Sequence, residues 1–320
     1  MLVILICEEK ETKQSYRLRN WKQYNSALVQ RGSLTLWVSD DILALWRNHE
    51  KSGNRGKPRY YSGTAILCMA TLQEVYHLPL RSTQAIMQSI VQLMGLDLTV
   101  PDYSLLCRRR KTIDVALPRR KNSEPLHMVV DSTGIKIFGE GEWKVRQHGY
   151  TKRRTWRKLH IGADVATGEV VAAVVTTNNF ADSQVLGDLL EQVGHEIEQV
   201  SGDGAYDKRN CYEAIRERKA KAAIPPRRGA KIWQHGNSRS ERLIRDENVR
   251  RVRKVGRKQW KKESGYHRRS LAETQIFRIK TIFGDRVGAR QFEGQATQIL
   301  VRCAALNKMS YLGMPDSYAA

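Results

Sequence analysis

Leu126-His-Met-Val-Val-Asp-Ser-Thr-Gly-Ile-Lys-Ile-Phe138 is the stretch from which the fold is read. Met128 to Val130 is an apolar run ended by Asp131, and it predicts a buried strand that carries an acid at its tip. Ser132-Thr133-Gly134 is expected to turn the chain, and Ile135 to Phe138 alternates like a second strand. A carboxylate at the end of a buried strand is costly unless it is paired, hydrogen-bonded or bound to a metal. Asp131 is therefore either a turn-capping residue or a ligand, and this stretch alone leaves both readings open.

Towards the C-terminus, Leu159 to Val165 and Glu169 to Thr176 predict a hairpin around Ala166-Thr167-Gly168. Asp182 to Val193 has helical spacing, and Gln199-Val200-Ser201-Gly202-Asp203 reads as a short strand end. Asp207 to Lys219 is again helical, Ala222-Ala223-Ile224 is a strand stopped by Pro225-Pro226, and a final helix follows. A run of strands followed by helix, strand, helix, strand and helix predicts an α/β fold. The architecture expected is a ribonuclease-H-like mixed sheet flanked by helices and preceded by an α-helical DNA-binding region.

Towards the N-terminus the texture is helical. Asp40 or Asp41 is placed to cap a helix carrying Ile42, Leu43, Leu45 and Trp46, and Arg47 to Arg59 reads as a loop. Ser62 precedes the apolar segment Ala65 to Val75, which Leu78-Pro79-Leu80 interrupts. Ser82 is expected to cap a second helix through Met94, with Gly95 as its stop, and Pro101-Asp102 to start a third ending in Arg108, Arg109, Arg110 and Lys111. Two apolar helices and a basic one predict a helix-turn-helix-like unit, with those four cations reading DNA ends; a plain bundle with a solvated basic face is the alternative. The divisions expected are a tail at 1–16, the helical region at 17–120, the α/β domain at 121–312 and a C-terminal tail at 313–320.

Charge points to the partner. The 320 residues carry 55 Lys and Arg against 33 Asp and Glu, a formal +22, and a surplus of that size implies a polyanion. Met1 to Cys7 is the longest apolar run, far below the roughly 20 residues of a membrane span, so no membrane partner is expected. Five scattered cysteines without CxxC spacing suggest buried thiols in a reducing cytoplasm. Between Arg227 and Arg269 stand 16 Lys and Arg against four acids, a run expected to track phosphates through Arg250, Arg251, Arg253 and Lys254. Trp233 and Trp260 lie within it and either stack on unpaired bases or pack in the core. Lys144, Arg146 and His148 are taken as DNA contacts, a plain surface loop being the alternative.

Cutting and rejoining DNA needs an activated hydroxyl and a stabilised leaving group. Two divalent ions about 4 Å apart supply both, and carboxylate oxygens hold Mg²⁺. Asp203, between Gly202 and Gly204, is either a turn residue or such a ligand. Tyr266, Arg269, Glu273 and Lys280 fall within roughly 60° of one another on a helix, giving one face an acid, two cations and a phenol. Phe277 breaks that segregation by sitting beside the polar group. A solvated charged face is the alternative.

Tyr266-x2-Arg269-x3-Glu273-x6-Lys280 resembles the signature around the catalytic Glu of DDE transposases of the insertion sequence four and five families. Gly265-Tyr-His-Arg-Arg-Ser-Leu-Ala-Glu-Thr274, Phe138-Gly-Glu-Gly-Glu-Trp-Lys-Val-Arg-Gln-His-Gly149 and Pro101-Asp-Tyr-Ser-Leu-Leu106 are similar to the insertion sequence five family, in its nine-zero-three branch. The similarity runs from about Arg17 to Ser317; residues 1–16 match nothing, and Ser238 to Lys262 match loosely. The resemblance implies a ribonuclease-H-like fold, Mg²⁺ dependence with Mn²⁺ as substitute, and action on element ends. It places the catalytic, metal-holding carboxylates at Asp131, Asp203 and Glu273, with Arg269, Lys280 and Tyr266 positioning phosphate and DNA. A homo-oligomer, a dimer on DNA, is expected. The alternatives are a ribonuclease-H-fold nuclease that cuts without joining, and a catalytically silent DNA-binding regulator.

Overall fold

The computed structural model describes residues 16–48, 59–118, 125–137, 156–234 and 242–319. In chain order the elements are β1 (Tyr16–Leu18), α1 (Trp21–Gln30), α2 (Leu34–Trp37), α3 (Asp40–Ala44), α4 (Gly63–Val75), α5 (Leu80–Leu93) and α6 (Tyr103–Arg109). Then come β2 (Leu126–Ile137), β3 (Trp156–Asp164), β4 (Val170–Thr177), α7 (Asp182–Glu191), β5 (Ile197–Ser201), α8 (Arg209–Glu217) and β6 (Lys221–Ala223). The chain closes with α9 (Ile244–Val255), α10 (Arg257–Glu263), α11 (Ser270–Phe283), β7 (Arg286–Val287), α12 (Phe292–Leu312) and β8 (Ser317–Ala319).

The main sheet has the order β4-β3-β2-β5-β6, with β7 paired to the far end of β2. β3 is antiparallel to both neighbours, whereas β2, β5 and β6 run parallel. That order, with one reversed strand in an otherwise parallel sheet and helices on both faces, is ribonuclease-H-like, as expected. The expected turn at Ser132-Thr133-Gly134 does not occur. β2 runs unbroken for 12 residues, and these three pair with His160, Leu159 and Lys158 of β3. A tight turn would want Gly134 at positive φ, which it does not adopt. Glycine is used here because the Trp156 side chain lies over it; a Cβ would stand 3.2 Å from the indole Cδ1.

β2 alternates between two cores. Val129 and Ile135, with Leu159 and Ile161 of β3, meet Ile276, Ile279 and Phe283 of α11 and Ile299 and Leu306 of α12. Met128 and Val130 face the opposite way, onto Leu186 and Leu189 of α7 and Ile215 of α8. The first core also contains Ile66, Met69 and Leu72 of α4, so the helical region and the sheet share one interior instead of forming separate units. A buried ion pair locks them: Arg302 Nε of α12 stands 2.7 Å from Glu74 Oε2 of α4, and Gln298 donates to the other oxygen at 2.7 Å.

Local signals in the helical region act in part as expected: Ser82 does not cap the second helix but lies inside α5, which starts behind Pro79, and Asp40 and Asp41 do not cap α3 but stand in its first turn behind Ser39. Ser62 caps α4 by accepting from the Ala65 amide, Asp102 caps α6 through the Ser104 amide, and Gly95 follows α5 at φ +63°. The segment expected to be a C-terminal tail is partly ordered as β8, antiparallel to β1, so the two ends of the described chain are tied together. Of the expected N-terminal tail at 1–16, residues 1–15 lie outside the described residues, and Tyr16 begins β1. Cys68, Cys211 and Cys303 are buried free thiols, each pushed up to about 12 chiefly by burial. Among the described residues no helix is long and apolar enough to cross a membrane.

Candidate active site

Parallel pairing brings the two aspartates level. Val129 of β2 pairs with Ser201 of β5, so two residues further along each chain Asp131 and Asp203 lie side by side at the carboxyl end of β5. Asp131 is thus within a strand, not at its tip, on the face turned to α11. Its Oδ1 accepts from the Ser132 amide at 2.9 Å. Asp203 caps the 3₁₀ turn Gly204–Tyr206, its Oδ1 accepting from the Ala205 amide at 2.8 Å. The approach of these segments requires Gly202, where a Cβ would stand 2.8 Å from the Tyr206 ring and 3.0 Å from Val130 Cγ2.

α11 supplies the third acid in its first turn, Glu273. Arg269, just before that helix, donates from Nη2 to the Glu273 carboxylate and holds Nη1 3.5 Å from Asp131 Oδ2. Lys280 donates to Thr133 Oγ1 at 2.5 Å, bracing the far end of the same helix face against β2. Tyr266 is not part of the α-helix, because Tyr266–Arg269 forms a 3₁₀ turn. Such a turn eclipses residues three apart, so the phenol still meets Arg269, whose guanidinium is 5.9 Å from the ring centre. Lys261 lies 4.9 Å from the same ring.

Burial pushes the Asp131 carboxyl upward; the Ser132 amide and Arg269 oppose this, and the charges of Asp203 and Glu273 add to it. The three expected carboxylates therefore share one electrostatic neighbourhood, gathered around the Arg269 guanidinium. As placed, no three acidic, His or Cys side chains among the described residues surround a single point closely enough to ligate one ion. The donor chemistry nonetheless fits a hard divalent cation: oxygen ligands only, from three elements, facing a space now served by a positive side chain. Tyr206 adds to that fit. Its hydroxyl is buried without a hydrogen-bond partner, and burial followed by the charges of Asp182, Asp131 and Asp203 raises its pKa far above the usual phenol range.

Two groups were not picked out from the sequence: Tyr206, beside Asp203, and Asp182 at the start of α7, on the sheet face opposite Asp131. Asp182 lies 2.7 Å from Lys158 Nζ and 3.3 Å from Nδ1 of the fully buried His160, whose Nε2 is 3.0 Å from Thr176 Oγ1. Burial would raise its carboxyl, but hydrogen bonds from His160, Lys158 and Ser132 outweigh it and hold the group well below the usual range. Sequence spacing places Asp182 only at the start of a helix. That Ser132, His160 and Lys158 share its face of the sheet follows from strand register, which local patterning does not carry.

The expected DNA contacts divide. Arg108 is exposed. Arg109 donates to the Tyr61 carbonyl at 2.9 Å, Lys111 donates to Gln291, and Arg110 is buried against Gln73, so Arg110 is a packing residue and not a surface contact. Arg250, Arg251, Arg253 and Lys254 are all exposed on α9; Arg251 forms a two-pronged pair with Glu263, and Arg253 donates to the Ala230 carbonyl. Trp260 is buried, its Nε1 donating to Asn248, and is not available for stacking. Trp233 is clasped by the Arg245 guanidinium, 3.9 Å from the ring centre, at one side of a cavity of 290 Å³ also lined by Arg209, Arg216 and Arg242. Lys144, Arg146 and His148 lie outside the described residues.

Comparison with known proteins bears on this arrangement. A family model described as transposase DDE domain matches residues 122–308, and a second model of the same description matches residues 29–140. Among solved structures, the piggyBac transposase synaptic complex with hairpin DNA is similar at 10% identity and TM-score 0.34, over 89% of this chain and 75% of that one. The first match takes in more than half of the sequence, from before Asp131 to beyond Glu273, and on it the chain belongs to the DDE transposases.

Proposed function

We propose that this DDE transposase, a member of the insertion sequence five family in its nine-zero-three branch, cleaves the 3′ ends of its element and joins them to target DNA. The observation that carries the reading is the gathering of Asp131, Asp203 and Glu273, from β2, the end of β5 and α11, around Arg269. A DDE domain implies a divalent metal, and all-oxygen donors favour Mg²⁺, with Mn²⁺ as substitute. When bound, the metal would lower the pKa of the attacking hydroxyl and stabilise the leaving oxygen. Asp131 and Asp203 are its holders, with Glu273 a further ligand or a base.

The chain's own residues do the rest. Arg269 and Lys280 supply positive charge for the phosphate, and Tyr266 orients Arg269. Arg250, Arg251, Arg253 and Lys254 provide sequence-independent attraction, while Arg108 is the member of the basic cluster on α6 best placed to read an end. We place the protein in the cytoplasm, on nucleoid DNA, as a homo-oligomer assembled on two ends.

Incubation of the chain with labelled element-end DNA, a target plasmid and Mg²⁺ tests this. Cleaved 3′ ends and joined product are expected, and Glu273→Gln, Asp131→Asn and Asp203→Asn should each lose both by orders of magnitude while still binding DNA. Glu263→Gln, at an exposed pair with Arg251, should remain active. Cleavage without joining would leave a nuclease; binding alone would leave a regulator.

A further inference from the structure

Among the described residues Phe277 belongs to no buried core cluster. Its neighbours Ile276, Ile279 and Phe283 fill the core, yet its own side chain is 68% exposed. Among the described residues no other ring and no cation is stacked on it. Its position on α11 is particular. At about 100° per residue, Phe277 lies roughly 40° from Glu273 around the helix, and Lys280 lies about 20° to the other side. Lys280 is the side that meets β2, through Thr133. Phe277 is therefore on the outer lip of the same face, one turn and about 6 Å along the axis from Glu273.

A ring at that place needs an occupant compatible with its surroundings. An apolar protein surface laid over Phe277 would also cover Glu273, Arg269 and Lys280 and strip them of water. A DNA strand satisfies both kinds of group, bringing phosphates to the cations and a flat π-face to the ring. Nucleotides along a strand are spaced at about 3.4 Å, so the ring is within about two nucleotides of a phosphate engaged at Glu273.

Resting on the transposase reading above, we propose that Phe277 stacks on an unpaired nucleobase beside the phosphate to be cut and holds the strand in register with the carboxylates. Stacking tolerates any base, so the contact selects an open strand without selecting a sequence.

The test uses the full chain and forked duplexes, double-stranded with a short single-stranded 3′ arm, carrying 2-aminopurine at successive positions around the junction. Binding is followed with Ca²⁺, and cleavage with Mg²⁺. One or two adjacent positions should change fluorescence on binding to the parent and to Phe277→Tyr, but not to Phe277→Ala or Phe277→Leu, which separates a ring from mere apolarity. Cleavage by the Ala and Leu variants should fall about five- to 100-fold, with melting temperature unchanged because the side chain is exposed. A fluorescence signal or a cleavage rate indifferent to residue 277 overturns the proposal and leaves the transposase reading standing. A parent chain that binds no DNA overturns both.

Discussion

Arg269 Nη1 stands 3.5 Å from Asp131 Oδ2, and the same guanidinium donates to Glu273, so a fixed cation lies between two carboxylates assigned to metal binding. Arg269 holds the acids together against their own repulsion, and it competes with any ion that enters. Arg269→Ala should therefore bind Mn²⁺ more tightly, by roughly an order of magnitude, and yet cleave DNA more slowly because the phosphate loses a partner. Arg269→Lys should keep the charge, lose the fork that reaches two acids, and fall between. Calorimetric titration with Mn²⁺ decides; unchanged affinity in Arg269→Ala would show that the guanidinium does not compete.

The raised pKa of Asp131 makes a prediction about stability. A carboxyl raised in the folded state binds its proton more tightly there than in the unfolded chain, so its contribution is present at low pH and is lost as pH rises through the folded value. Asp131→Asn removes the cost of the buried charge. The variant should melt above the parent at pH 7, and the difference should close as pH falls below the ordinary value of 3.8. Melting curves from pH 3 to 8 on the metal-free protein check this; a variant less stable than the parent at pH 7 contradicts it.

Gly202 and Gly204 flank Asp203 with opposite tolerances. A Cβ at Gly202 meets the Tyr206 ring at 2.8 Å, whereas at Gly204 the nearest atom is 3.9 Å away. Gly202→Ala should cost about 1–3 kcal/mol by overpacking and displace Asp203, lowering cleavage beyond the loss of stability. Gly204→Ala should be close to neutral in both. Equal behaviour of the two variants in denaturant unfolding and cleavage would remove the packing argument.

The Glu74–Arg302 pair joins the helical region to the sheet, with Arg302 also donating to the carbonyls of Gly284 and Arg286. Truncating either partner leaves a buried charge, so Glu74→Ala or Arg302→Ala should cost about 3–5 kcal/mol. Because the two regions share one core, the parent should unfold in a single transition by both circular dichroism and tryptophan fluorescence. Two separated transitions would mean that the helical region is an independent domain.

Local patterns identified several helix ends but not all, since Ser82 and Asp40 or Asp41 do not cap theirs. Ser62, Asp102 and Gly95 act at helix ends because capping involves only neighbouring atoms. The order of strands and helices from Leu126 to Ala223 followed from periodicity, apart from the break expected within β2; Glu273 was indicated by a motif whose spacing resembles a family signature, and Asp131 and Asp203 by the same resemblance. What escaped has a common cause. α12, the longest helix, was missed because it is buried on nearly all sides, with Gln295, Gln298, Arg302 and Asn307 inside along with Ile299 and Leu306; a helix without a wet face has no amphipathic period. Asn307, for example, bonds both backbone groups of Val170, a partner far away in the chain.

Ser132-Thr133-Gly134 has turn composition, and only pairing with β3 holds it extended. Arg110 looked like its exposed neighbour Arg108, and helix packing alone separated them. The sequence by itself indicated the fold class, a polyanionic partner and the candidate acids, since these depend on composition, local spacing and short-range sterics. Tertiary structure decided that Asp131 and Asp203 lie level, that Arg269 stands between Asp131 and Glu273, that Tyr206 adjoins Asp203, and that Asp182 meets His160 and Lys158 across the sheet. Those relations depend on strand register and on burial by elements distant in the chain, where a shift of one residue would turn each side chain to the opposite face.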